Sequence, residues 1–200
     1  MCSILFSSKE INNLEFIHDD INDFTFIHNL LSITGEFTKQ PFQQDDIICI
    51  FNGEIYNYKE FGKYKSDGEC LIPLYKKYGS SFIKQLDGEF AILLVDFKKD
   101  ILIASTDIFS TKPLYMSADN ENTFGFSSYA SPLQRMGFQN IYKIPANKTY
   151  IFQLSKFGLI EEHSVYDFDL NQHKNSFDDW NKSFTDSMTK RATGIREHLY

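Results

Sequence analysis

The chemistry open to this chain starts at Cys2, which follows Met1 directly. A small second residue favours removal of the initiator Met, leaving a cysteine with its own free α-amine. A thiol with a general base in the same residue is the arrangement that activates N-terminal nucleophiles. The plain alternative is a small apolar residue opening a buried strand, a common place for free cysteine. Asn52, Gly53 and Glu54 follow the apolar run IICIF. Asn-Gly is a turn signal between strands. The same pair can form an oxyanion hole, because Gly lets a backbone N–H approach closely and Asn supplies a neutral donor. Asp67 lies in Ser66-Asp67-Gly68-Glu69, which has the S-x-x-E spacing of a helix capping box. A carboxylate there can serve the cap, a cationic ligand, or both.

The elements that must position these residues follow from hydrophobic periodicity. Cys2–Phe6 reads as a buried strand, and Ser7–Phe24 as a polar loop with Asp19, Asp20 and Asp23. Residues 25–33 and 47–51 read as strands, the second buried on both faces. The helix after Ser66 carries Leu71, Leu74, Tyr75 and Tyr78 on one face and stops at Gly79. Phe90–Phe97 and Ile101–Ser105 form a hairpin across Lys98-Lys99-Asp100, and Leu114–Met116 pairs with Thr123–Ser127. A short helix runs from a cap at Ser128 to Gly137, and Lys148–Leu154 is a further strand. After a polar stretch at Asn171–Asn175, Ser176-Phe177-Asp178-Asp179 caps a last helix. Its apolar stripe comprises Phe177, Trp180, Phe184, Met188, Ile195 and Leu199, interrupted by Arg191 and Gly194. Strands with few helices predict an α+β fold.

Composition narrows the function classes. The 200 residues are 42% hydrophobic and 16% aromatic, enough to build a sizeable core. A net charge of −7 argues against binding phosphate backbones, and no glycine-rich phosphate loop is present. No apolar run approaches the ~18 residues of a membrane span, and MCSILFSSKE has no secretory pattern. The 3 cysteines, Cys2, Cys49 and Cys70, form no CxxC and read as reduced thiols, giving a cytoplasmic expectation. The 5 histidines are scattered, so no metal site is expected, and His28 reads as a hydrogen-bonded structural residue.

Cys2, HNLLSI (28–33), FNGEIYNYKEF (51–61), SDGE (66–69), LDGEFA (86–91) and TKPLYM (111–116) occur in one order. That series resembles the glutaminase domain of glutamine-dependent asparagine synthetases, the class II glutamine amidotransferases, over residues 2–154. The resemblance implies a four-layer αββα N-terminal-nucleophile sandwich of two antiparallel sheets. It implies L-glutamine as substrate and no cofactor. Cys2 would be the nucleophile, and the Asn52 side chain and Gly53 N–H the oxyanion hole. Glu54 and Asp67 would hold the glutamine α-ammonium, and backbone around Leu31 and Ile33 would line the slot. Asp87 and Lys112 fall in pieces that serve packing and turns. The expected organisation is an amidotransferase domain over 1–154 and a C-terminal extension over 155–200.

Three features depart from the family pattern. The family carries a helix and an Arg-Gly-Pro-Asp stretch between the nucleophile strand and the segment matching HNLLSI, and here only residues 7–27 separate them, with neither present. Leu30 stands where the family carries an Arg that grips the glutamine carboxylate, and no Arg precedes Arg135. The Ser-Gly-Gly-x-Asp-Ser phosphate loop of the ATP-using synthetase domain is absent from these 200 residues. The favoured expectation is a glutaminase supplying ammonia for asparagine synthesis by a separate ATP-using partner. The C-terminal helix would dock that partner or a second copy of this chain. The alternative is a degenerate amidotransferase-like domain serving binding or regulation.

Overall fold

The computed structural model describes residues 3–9, 19–21, 23–29, 36–120, 123–169 and 171–192. Twelve strands lie among them, in chain order β1 (Ser3–Ser7), β2 (Asp19–Ile21), β3 (Phe24–Asn29), β4 (Phe42–Gln44), β5 (Ile47–Ile55), β6 (Gly88–Asp96), β7 (Ile101–Thr106), β8 (Tyr115–Asn120), β9 (Thr123–Ser127), β10 (Ile141–Lys143), β11 (Lys148–Gln153) and β12 (Gly158–Ser164). They form two six-stranded sheets, ordered β10-β8-β9-β1-β3-β2 and β12-β11-β7-β6-β5-β4. Neighbouring strands pair antiparallel throughout.

Period-two alternation builds the layers. In β5, Ile48 and Ile50 face the other sheet, while Ile47, Cys49 and Phe51 face outward. In β6, Ala91, Leu93 and Val95 point inward and Phe90, Ile92 and Leu94 outward. The two sheets meet over an aromatic core in which Phe6 and Phe26 lie 4.9 Å apart and Phe124 stacks on Phe157 at 4.2 Å. Helix α1 (Leu71–Tyr78) covers the outer face of the second sheet with Leu71, Ile72, Leu74 and Tyr75. Helix α2 (Ala130–Arg135) puts Leu133 against Gly125 on the outer face of the first sheet. Helix, sheet, sheet, helix is the αββα α+β sandwich that the resemblance implies.

Several local expectations change. The Ser7–Phe24 stretch is not wholly a loop, because Asp19–Ile21 pairs with β3 as an edge strand. Asn52 and Gly53 are not a turn: they continue β5 opposite Ala91 and Phe90. The Ser66 hydroxyl makes no cap bond, and a 3-10 turn over Asp67–Cys70 leads into α1. Glu69 instead accepts from the Lys65 N–H at 2.7 Å. Tyr129, not Ser128, is the N-cap residue of α2. β12 extends the second sheet past Leu154, where the sequence reading ends the domain, and Val165 packs in the outer core.

The last helix, α3 (Phe177–Ala192), has the expected start. Asp179 N–H donates to Ser176 Oγ at 3.1 Å, and Asp179 Oδ2 accepts from the Asn175 and Ser176 N–H groups. No described residue of α3 is buried, and Phe177, Trp180, Phe184 and Met188 are all more than half exposed. Its far end is tied down by Lys190 to Asp87 at 2.9 Å and by Arg191 over the Tyr56 ring. Ile195 and Leu199 lie outside the described residues.

Candidate active site

Cys2, Leu30, Leu31 and Ile33 lie outside the described residues. The other candidates converge on the end of β5, where it runs beyond β4. The β4–β5 ladder ends at Phe42 opposite Cys49, and among the described residues no strand pairs with the rest of that β5 edge. Backbone groups on one edge of a strand recur every second residue. Phe51 N–H on this edge donates to Gln40 Oε1 at 2.8 Å. Ile55 N–H donates to Asp67 Oδ2 at 2.8 Å. Gly53 lies midway between them. Its partner Phe90 is bonded on its far side to Asp107, through Phe90 N–H to Asp107 Oδ2 and Asp107 N–H to the Phe90 carbonyl. The Gly53 N–H is therefore turned to the same edge as those of Phe51 and Ile55.

Only glycine fits at that position. Its φ is +149°, and a Cβ would stand 2.0 Å from the Glu89 carbonyl oxygen and 2.7 Å from Phe90 Cα. Both are impossible contacts with rigid backbone. Gly68, beside Asp67, is under a different constraint, because a Cβ there would meet the Phe51 and Phe42 rings within 2.6 Å. The turn carrying Asp67 thus sits directly on the side chain of the residue before Asn52.

Asn52 is buried, and its Nδ2 lies 3.5 Å from Ser128 Oγ. Ser128 also brackets the start of β1: its Oγ accepts from the Ile4 N–H at 3.1 Å and its own N–H donates to the Ile4 carbonyl at 3.0 Å. One serine hydroxyl therefore joins the Asn52 carboxamide to a backbone group two residues after Cys2. Asn52 Oδ1 and Ser66 Oγ are buried without a hydrogen-bond partner among the described residues. Unsatisfied buried polar atoms are uncommon and mark places where another group is needed.

The electrostatics are uneven. Burial pushes Asp67 up to about 6, and the Glu54 charge adds to this, while hydrogen bonds from backbone N–H groups, Ile55 first, pull it back. Burial pushes His28 down to about 4 despite its hydrogen bond to the Phe51 backbone, so its ring is neutral near pH 7. Burial lifts the Cys49 thiol far above its ordinary range and the Cys70 thiol to about 12. Neither is a nucleophile at neutral pH. Lys112 pairs with Glu89 at 2.9 Å, and Asn57 braces the turn before β6 through Gln85 and Asp87.

Sequence reading missed two members of this constellation, Gln40 and Ser128. Ser128 carries a local signal, its place just before a helix, but that signal points to the wrong partner. Gln40 precedes Pro41 in a polar loop and has no periodic signal at all.

A two-sheet αββα sandwich with candidate donors at one strand end is the N-terminal-nucleophile amidotransferase architecture. The chain belongs to the glutamine amidotransferase domain family, whose model matches residues 15–167. It is 38% identical over 122 residues to asparagine synthetase (glutamine-hydrolysing) 1 of Saccharomyces cerevisiae, covering 54% of this chain and 21% of the yeast protein. It is 36% identical over 117 residues to asparagine synthetase (glutamine-hydrolysing) 2 of Oryza sativa subsp. japonica, covering 53% and 20%. The chain thus spans about a fifth of the length of these relatives. Its fold is similar to that of the glutamine phosphoribosylpyrophosphate amidotransferase from B. subtilis complexed with ADP and GMP. The TM-score is 0.57 at 16% identity, over 74% of this chain and 36% of that one.

Proposed function

We infer that this chain is a glutaminase unit of the asparagine-synthetase type, releasing ammonia from L-glutamine for a synthetase site outside these residues. The supporting observation is the β5 edge. The amides of Phe51 and Ile55 are occupied by side chains, and the Gly53 amide lies between them on the same edge, one residue after Asn52. In this reading Met1 is removed and the Cys2 thiolate attacks the side-chain carbonyl carbon of glutamine. Electrons move onto the oxygen, which takes hydrogen bonds from Gly53 N–H and Asn52 Nδ2. The α-amine of Cys2 carries the thiol proton to the departing ammonia, and water then cleaves the thioester to glutamate. Asp67 and Glu54 hold the substrate α-ammonium, and backbone at Leu31 and Ile33 lines the slot. The domain extends to about residue 167, where the family match ends. The test is ammonia release from glutamine by protein whose N-terminus is verified as Cys2.

The second reading, a domain that binds without turning over, rests on Leu30 in place of the family Arg and on the missing Arg-Gly-Pro-Asp segment. A folded protein with a verified Cys2 N-terminus that binds glutamine and releases no ammonia would select it.

The Asp67 role makes a pH prediction. Above pH 6 its carboxylate is ionised and attracts the α-ammonium; as the pH falls through 6 it takes up a proton and the attraction is lost. On the Cys2→Ala variant, where no thiol titrates at that position, the glutamine Kd should rise about tenfold per pH unit below that point. In an added Asp67→Asn change the inflection should vanish. A pH-independent Kd between 5 and 7 would remove Asp67 from the binding site.

The exposed stripe of α3 is the proposed docking element for the synthetase partner or a second copy. An apolar face of this extent is stable when covered. Sedimentation at micromolar concentration should show association that deletion of residues 171–200 abolishes. A monomer with Trp180 shielded from solvent would count against docking, because Trp180 is 57% exposed on the isolated chain.

A further inference from the structure

We propose that Gln40 is a positioning residue that fixes the oxyanion donors by holding the backbone N–H of Phe51. The inference rests on the glutaminase reading above.

Continuing the β4–β5 register beyond Phe42 and Cys49 would place residue 40 opposite Phe51. The strand does not continue. Instead the Gln40 side chain, in a residue only 7% exposed, offers its Oε1 to the Phe51 N–H at 2.8 Å. A side-chain carbonyl thus stands in for the missing ladder bond.

Phe51 is also held by its side chain. Its ring centroid is 6.3 Å from that of Phe42 and its edge lies against Gly68. The backbone N–H and the ring of one residue are therefore fixed, and the next two residues carry the proposed donors. A small rotation of β5 about its own axis would move the Gly53 N–H and the Asn52 Nδ2 together. Oxyanion stabilisation depends on donors preset to within a fraction of an ångström. The cost of losing this grip therefore falls on the transition state more than on substrate binding.

The test compares Gln40→Met, which keeps the length and removes the acceptor, with Gln40→Glu, which keeps an acceptor oxygen. Expected for Gln40→Met is a kcat lower by about 10- to 100-fold with the glutamine KM within about threefold. Gln40→Glu should recover most of the loss. Glutamate γ-aldehyde, whose adduct with a thiol places an oxygen at the donors, should bind less tightly in step with kcat. The Gly53 amide resonance should shift in Gln40→Met, a readout independent of turnover and applicable if one variant folds poorly. Unchanged kcat and an unmoved Gly53 resonance in a folded Gln40→Met variant would overturn the proposal while leaving the glutaminase reading intact. An inactive wild type with verified Cys2 would instead overturn the glutaminase reading, and the Gly53 resonance would still decide whether Gln40 holds this edge.

Discussion

Cys2→Ala is expected to abolish glutamine hydrolysis, by on the order of 10⁴-fold or more, with the fold retained. The size follows from what an alanine lacks: it leaves the α-amine and the donors but offers no atom to form the thioester. The other two cysteines cannot take over, since Cys49 and Cys70 are buried in the outer core with thiols pushed far above neutrality. Retention of the fold is expected because Ser3–Ser7 pair with β3 and the bracket onto Ser128 is made by Ile4. The checks are ammonia release, the unfolding midpoint, and intact mass to establish that Met1 has been removed. Full activity on protein retaining Met1 would contradict the mechanism, because the α-amine would then not belong to Cys2.

The second large effect is at Asn52. Asn52→Ala should lower kcat on the order of 10²-fold or more with little change in the glutamine KM, because its donor gains strength as the oxyanion develops. The structure sharpens this test. Asn52 is in mid-strand opposite Ala91, so alanine meets no special backbone demand there. Its loss of activity is then separable from the loss of a turn. The competing role is a buried amide that satisfies Ser128 Oγ at 3.5 Å. That role predicts lower stability with kcat unchanged. Parallel measurement of kcat, KM and unfolding midpoint therefore decides between a donor and a packing residue.

Much of the fold was legible because it is local. The alternation in IICIF and in FAILLV places side chains on two faces wherever the strand lies. The tight link at Lys98–Asp100 joins its strands as expected. The S-x-x-D pattern at Ser176 makes the reciprocal cap at the start of α3. Edge strands β2, β4, β10 and β12 were not legible. Three of them are three residues long, and each exists only because a neighbour offers ladder groups. A three-residue run carries too little periodicity to register.

The candidate site divides in the same way. The string NGEIYN identifies Asn52, Gly53 and Glu54, and SDGE identifies Asp67, as residues of interest by sequence alone. What each does there depends on distant partners. Asn-Gly reads as a turn locally, yet β6 pairs alongside and carries it on as strand, with Gly53 pressed against Glu89. Ser66-Asp67 reads as a cap, yet the Asp67 carboxylate is drawn to the Ile55 N–H, left open by the early end of β4. Ser128 also reads as a cap, yet its hydroxyl serves Ile4, 124 residues earlier. Local pattern chose the residue types. Which bond each makes was decided by unpaired backbone groups at strand ends, because a buried N–H must find an acceptor, and only the packed sheets determine which acceptor is within reach.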